Sequence, residues 1–289
     1  MNPNIETFLG CNSPYEQADI VLFGAPFDST TSFRPGARFA AKTMRGESFG
    51  LETYSPYQNA DLQDIAVFDS GDLELPFGAP EQALLQIEQH TTQILSARKI
   101  PCMIGGEHLV TLGAVRAACK AYPNLHIIHF DAHADLREEY LGQRLSHATV
   151  LRRVWELIGD GKIFQFGIRS GDRAEFAFAQ EHVFTNLFDF NGLAQTVQAL
   201  KGKPVYFTLD LDVLDAAVFP GTGTPEAGGV SFSQLLGAIM AVSKLNIVGL
   251  DINELCPIYD PSGISTATAC KVLRELLLAI CKNNPMLGM

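Results

Sequence analysis

The stretch LHIIHFDAHADLR, Leu125 through Arg137, opens with a run of Leu, Ile and Phe interrupted only by His126 and His129. It then sets Asp131, His133 and Asp135 at every second position. A strand with one wet face alternates apolar and polar side chains, whereas a run that is greasy at successive positions is buried on both faces, as in a parallel sheet. Alternate side chains of an extended segment share a face, so if the strand continues past Phe130 the two carboxylates and the imidazole project together. The segment reads as a buried strand carrying three metal-ligating side chains to its carboxyl end.

Seven further runs rich in β-branched and aromatic residues read as strands: 19–24, 64–69, 101–105, 162–168, 182–185, 204–211 and 246–252. Between them lie amphipathic segments at 79–99, 109–121, 147–159, 231–244 and 265–281. This βα alternation predicts an α/β protein, a mostly parallel sheet with helices on both faces. Periodicity does not choose between a closed barrel and an open sheet. With no Pro/Gly/Ser-rich linker and no internal repeat, residues 1–289 read as one domain.

The formal charge is −11, from 21 basic and 32 acidic residues. That balance disfavours nucleic acid and anionic lipid as partners and suits a small cationic ligand. The N-terminal MNPNIETFLG lacks the basic and apolar stretches of a secretory signal. No apolar run approaches the roughly 20 residues a membrane span requires, so a cytoplasmic protein is expected. Cys11, Cys102, Cys119, Cys256, Cys270 and Cys281 are scattered without a C-x-x-C pair and read as reduced, structural thiols.

Two more clusters follow apolar runs. In TLDLDVLD, Asp210 and Asp212 are again two apart; in IGGEHLVTLG, two glycines turn the chain off a strand and His108 follows. Ligands of open α/β sheets collect beyond the carboxyl ends of strands, where all three clusters would sit. Four carboxylates gathered there raise one another's pKa values unless positive charge is present. Two divalent cations would balance them. Two imidazoles among oxygen donors, with no thiolate, suit manganese better than zinc, cobalt or iron, and the histidines disfavour calcium. A metal pair roughly 3.5–4 Å apart brings the pKa of a shared water towards neutrality, the chemistry of a hydrolase.

Other residues have plainer readings. His126 and His182 are expected to be packed or hydrogen-bonded rather than ligating, and Asp215 and Asp251 to cap or orient loops. GTGTP lacks the spacing and lysine of a phosphate-binding loop. His129 is in phase with Asp131 and His133, so its position alone does not exclude it.

The blocks GGEH, DAHAD, DLDVLD, PGTGTPEAGG and DINELCP resemble, in order, those of the ureohydrolase family, which includes arginase and agmatinase. The resemblance runs from GAPFDSTTSFRPGARFA near the N-terminus to the last helix. It implies an open three-layer α/β/α fold around an eight-stranded, mostly parallel sheet. It further implies two manganese ions, one held by His108, Asp131, Asp135 and Asp210, the other by Asp131, His133, Asp210 and Asp212. The family varies at the position of His129. In this resemblance Glu254 pairs with a guanidinium, His147 of LSHAT shuttles a proton to the leaving amine, and Thr224 lines the guanidinium pocket.

Arginases place an asparagine where this chain has Arg137, and DLREEYLGQRLSHAT looks instead like the agmatinase branch. The resemblance thus implies agmatine and water going to putrescine and urea, with 4-guanidinobutyrate, another ω-guanidino compound or, less favoured, arginine as alternatives. Glu138 and Glu139 could face a second cationic end, and Arg137 a carboxylate. Ala216 and Ala227 replace prolines usual in the family, a change confined to loop rigidity. A homo-oligomer, trimer or hexamer, is also implied. A zinc deacetylase of the same layered fold would need a different ligand set, and a non-catalytic relative would have lost ligands that are all present.

Overall fold

The structure, a computed structural model, describes residues 6–284. Eight strands form its sheet: β1 (Ile20–Ala25), β2 (Val67–Asp72), β3 (Ile100–Gly105), β4 (His126–Phe130), β5 (Ile163–Ile168), β6 (Phe184–Leu187), β7 (Pro204–Asp210) and β8 (Asn246–Asn253). All neighbours are parallel, in the order β2-β1-β3-β8-β7-β4-β5-β6. β2 and β6 are free edges, so the sheet is open, as the family resemblance implies.

The helices are α1 (Ala40–Ser48), α2 (Pro80–Ser96), α3 (Thr111–Ala121), α4 (Val150–Ile158), α5 (Arg173–His182), α6 (Leu193–Ala199), α7 (Phe232–Val242) and α8 (Ile264–Asn283). Strand alternation divides the core into two apolar layers. Ile20 and Leu22 of β1, with Val205, Phe207 and Leu209 of β7, pack beneath α1, α7 and α8. Val21, Phe23 and Tyr206 face the opposite layer with α2, α3 and α4. Each such side chain withdrawn from water contributes roughly 1.5–3 kcal/mol, so burial on two faces holds the central strands rigidly. No helix among the described residues is long and apolar enough to cross a membrane.

All eight expected strands form, but two are displaced: the one expected at 182–185 runs Phe184–Leu187, because the preceding helix extends to His182. The run expected at 64–69 pairs as Val67–Asp72, because Asp61 accepts the Gln63 N–H at 3.0 Å and winds Leu62–Asp64 into a 3-10 turn. Helices α1, α5 and α6 and a small hairpin pairing Tyr54–Ser55 with Ala60–Asp61 were not expected. The helix expected from 147 begins with a 3-10 turn at His147–Thr149 and becomes α-helical at Val150.

Strands β3, β8, β7 and β4 are consecutive in the sheet. Their carboxyl ends therefore open side by side, and the loops leaving them carry the expected ligands.

Candidate metal centre

A Cβ at Gly105 would collide with the Asn253 side chain and one at Gly106 with the Phe27 backbone, so the turn off β3 tolerates only glycine. That closeness sets His108 at the head of the 3-10 turn leading into α3. Asp131 follows β4 directly, and His133 still pairs with Ser170 beyond β5. The expectation that strand alternation also delivers Asp135 is corrected: its φ is 53°, a left-handed turn rather than extended chain. The turn costs about 1–2 kcal/mol for a non-glycine residue. It is held by the Leu151 and Arg152 amides, which donate to the Asp135 carbonyl at 3.0 and 3.2 Å. At the end of β7 the Asp210 carboxylate accepts the Asp212 N–H at 2.8 Å, folding both acids towards one crevice. Glu254, one residue past β8, is also left-handed, with φ 67°.

All six expected ligands meet. His108 Nδ1 lies 3.0, 3.2 and 3.4 Å from carboxylate oxygens of Asp131, Asp135 and Asp210. His133 Nδ1 is 3.0 Å from Asp212 and 3.5 Å from Asp131. The Thr208 hydroxyl donates to Asp251 at 2.6 Å, so its oxygen is free to accept from His108 Nε2–H at 2.9 Å. That commits Nε2 as the donor and leaves Nδ1, with no hydrogen-bond partner of its own, turned towards three acids.

The electrostatics agree. Burial opposes a charged ring, yet the surrounding carboxylates raise the His108 pKa well above its usual value. Burial, then Asp131, pushes Asp135 up to about 7; burial, then Asp212 and Asp131, pushes Asp210 well above the carboxylate range. Asp131 moves the other way, because the His108 and His129 imidazoles beside it outweigh its burial. The crevice requires positive charge beside His108 Nδ1, and oxygen-rich donors with two imidazoles fit a pair of hard to borderline divalent cations.

His129 also reaches this cluster, but both its nitrogens are engaged. Gln165 Nε2 donates to the Ala134 carbonyl at 2.7 Å and to His129 Nδ1 at 3.0 Å, leaving His129 Nε2–H to donate to Asp131 at 2.8 Å. His129 thus orients Asp131 rather than offering a lone pair. Asp251 takes the orienting place expected of it, accepting from Tyr206, Thr208 and Asn253 at 2.7, 2.6 and 2.7 Å. Asp215 ties its loop by accepting the Ala217, Gly228 and Gly229 amides.

Sequence reading missed Thr208, Gln165 and Arg169. The Arg169 guanidinium donates to the carbonyls of Asp212 and Glu226 at 2.7 and 2.8 Å, binding the loop after β7 to the one that carries Thr224. For Thr208 and Gln165 the available signal was a polar residue on an otherwise apolar strand, which in a buried sheet requires a partner; Arg169, just past β5, carried none.

A cavity of about 230 Å³ opens over the cluster, lined by His133, Asp135, His147 and Thr224 among others. His147 Nε2 is 3.1 Å from the Ser32 hydroxyl, and its backbone N–H donates to Thr30 at 3.1 Å. Burial, then His133 and His108, holds His147 down to about 4, which keeps the ring neutral near pH 7. Glu107 accepts from Thr30 and Thr31 and pins that loop. Glu254 accepts the His108 N–H at 2.7 Å, and burial, then Glu107, raises its carboxyl well above the usual range. The Thr224 hydroxyl is 3.5 Å from Asp212. Glu138 and Glu139 point to solvent; besides Asp135, the acidic side chain lining the cavity is Glu175.

Residues 18–279 match the arginase family model. The agmatinase of Bacillus subtilis is 45% identical over 96% of this chain and 97% of its own. The crystal structure of a candidate agmatinase from Clostridium difficile superposes with a TM-score of 0.91 at 52% identity, covering 93% of this chain and 99% of that one. That of the agmatine ureohydrolase of Thermoplasma volcanium gives 0.88 at 35% identity, covering 96% and 95%. With the family model spanning nearly the whole chain and relatives this similar end to end, the protein belongs to the arginase family.

Proposed function

We propose that this protein is a ureohydrolase that splits agmatine and water into putrescine and urea at a dinuclear manganese site. The observation that carries the reading is the His108 imidazole, its Nε2–H committed to Thr208 and its Nδ1 facing Asp131, Asp135 and Asp210. His108, Asp131, Asp135 and Asp210 would hold one cation, and Asp131, His133, Asp210 and Asp212 the other, with Asp131 and Asp210 shared. When bound, the pair supplies Lewis acidity that lowers the pKa of water enough to make it a nucleophile at neutral pH.

The remaining steps belong to the chain. Glu254, ionised by pairing with the cationic guanidinium, would fix its plane in the cavity. The hydroxyl of Thr224 would flank it. His147, neutral and beside the cavity, would accept the proton lost by the attacking water and pass it to the departing nitrogen, which leaves as an amine. The bond between the guanidinium carbon and the nitrogen that carries the alkyl chain breaks, so the alkyl chain leaves as the amine and the carbon as urea.

Agmatine is favoured by the relatives named agmatinase, whose likeness covers nearly the whole chain. A cytoplasmic homo-oligomer, trimer or hexamer, serving polyamine metabolism goes with this reading. The test is urea release from agmatine, arginine and 4-guanidinobutyrate after chelation and manganese return. Metal-dependent release greatest with agmatine is expected; no urea from any guanidino compound overturns the reading.

A further inference from the structure

Two hydroxyls of one loop hold His147. Thr30 accepts its backbone N–H at 3.1 Å, and the Ser32 hydroxyl lies 3.1 Å from its ring Nε2. Ser32 and His147 both line the cavity over the ligand cluster. On its other side the loop, Ser29 through Ser32, walls a second cavity of about 500 Å³, so packing alone does not keep it in place.

Glu107 does. Its carboxylate is fully buried and accepts the Thr30 N–H at 2.9 Å, the Thr30 hydroxyl at 2.5 Å and the Thr31 hydroxyl at 3.1 Å. Because the Thr30 proton goes to Glu107, the Thr30 oxygen is free to accept from His147. Glu107 is held in turn: its N–H donates to the Phe27 carbonyl at 2.8 Å, and a Cβ on the preceding Gly106 would strike the Phe27 backbone. The next residue is the expected ligand His108. One rigid joint therefore serves the ligand cluster and, through Thr30, the histidine beside it.

Ser32 adds a property that an acid could not supply. A hydroxyl donates one hydrogen bond and accepts others, so it can turn its proton towards a bare Nε2 or accept from a protonated one. A carboxylate in its place would favour the protonated ring and retain the proton. A group that takes up and releases a proton in each turnover needs a neighbour that suits both states. It must also stay within about 2.6–3.2 Å of the atoms it exchanges with.

Resting on the ureohydrolase reading above, we propose that Thr30 and Ser32, anchored by Glu107, are positioning residues for the proton step, holding His147 over the ligand cluster in both of its charge states.

The test measures kcat, KM for agmatine and manganese content in the manganese-loaded wild type, Thr30→Val, Ser32→Ala and His147→Ala. It adds the two double variants that combine each hydroxyl removal with His147→Ala. Each hydroxyl removed should lower kcat about fivefold to tenfold, the size of one hydrogen bond, with KM and manganese content unchanged. Ser32→Thr and Thr30→Ser keep the hydroxyls and should stay within about twofold of the wild type. In the His147→Ala background neither removal should cost anything further, because no ring remains to be held. A wild-type kcat in either single variant, a loss carried by KM or manganese content, or losses that add to that of His147→Ala overturn this inference and leave the ureohydrolase reading standing. Ser32 is exposed, so Ser32→Ala carries the test if Thr30→Val fails to fold. A wild type that releases no urea from agmatine or any other guanidino compound removes both.

Discussion

Replacing Thr208 by valine keeps the side-chain shape and removes one oxygen. In the native protein that oxygen accepts His108 Nε2–H at 2.9 Å and leaves Nδ1 as the nitrogen that faces the acids. In the variant, a metal-free His108 can hold its proton on Nδ1, towards the carboxylates 3.0–3.4 Å away, with Nε2 bare against the valine methyls. The metal-free protein also loses the Thr208 hydrogen bond to Asp251, a cost of about 1–3 kcal/mol that is the same with and without metal. Metal binding at Nδ1 puts the ring's proton on Nε2 and strands a buried N–H, a further penalty of about 1–3 kcal/mol. At about 1.4 kcal/mol per tenfold, affinity at the His108 site should fall between about fivefold and about 150-fold. That range overlaps the roughly 10–100-fold effects usual for groups that orient ligands. Titration of manganese into chelated protein measures the affinity, and a thermal melt of the metal-free form measures the fold. Two equivalents bound at wild-type affinity would refute the tautomer argument; a loss of metal-free stability well beyond the Thr208–Asp251 hydrogen bond would place Thr208 chiefly in the fold instead.

His147→Ala should retain its metal content while turnover falls about 10²–10⁴-fold, the usual contribution of a positioned acid-base group. Asp210→Ala should lose both metal and turnover, and two tightly bound ions in that variant would break the ligand assignment. Asp260 predicts a pH signature: hydrogen bonds from the Ser262 and Ser265 side chains hold its carboxyl down to about 2, below the usual value near 3.8. A depressed folded pKa contributes stability that is present above about pH 4 and lost as pH falls through about 2. Asp260→Asn should therefore lower the melting temperature at pH 7 and converge with wild type near pH 2; a constant gap across that window contradicts the assigned cause.

The sequence by itself determined the elements and most of the chemistry. Continuous apolar runs such as HIIHF and VYFTL announce strands buried on both faces, because no other arrangement satisfies side chains that are greasy at consecutive positions. Paired acids directly after those runs announce a cation site, since carboxylates brought together at strand ends need positive charge.

Tertiary structure decided what depends on neighbours distant in the chain. Asp135 reaches His108 through a left-handed turn anchored by α4, which strand periodicity cannot express. His129 has the right spacing for a ligand and is diverted by Gln165 from the adjacent strand. Glu138 and Glu139 are next to the site in sequence but face solvent, while Glu175, forty residues beyond Asp135, lines the cavity. A residue's spacing along a strand sets which way its side chain points. Which nitrogen carries the proton, and which charge is already neutralised, follows only from the partners that the folded sheet brings within about 3 Å.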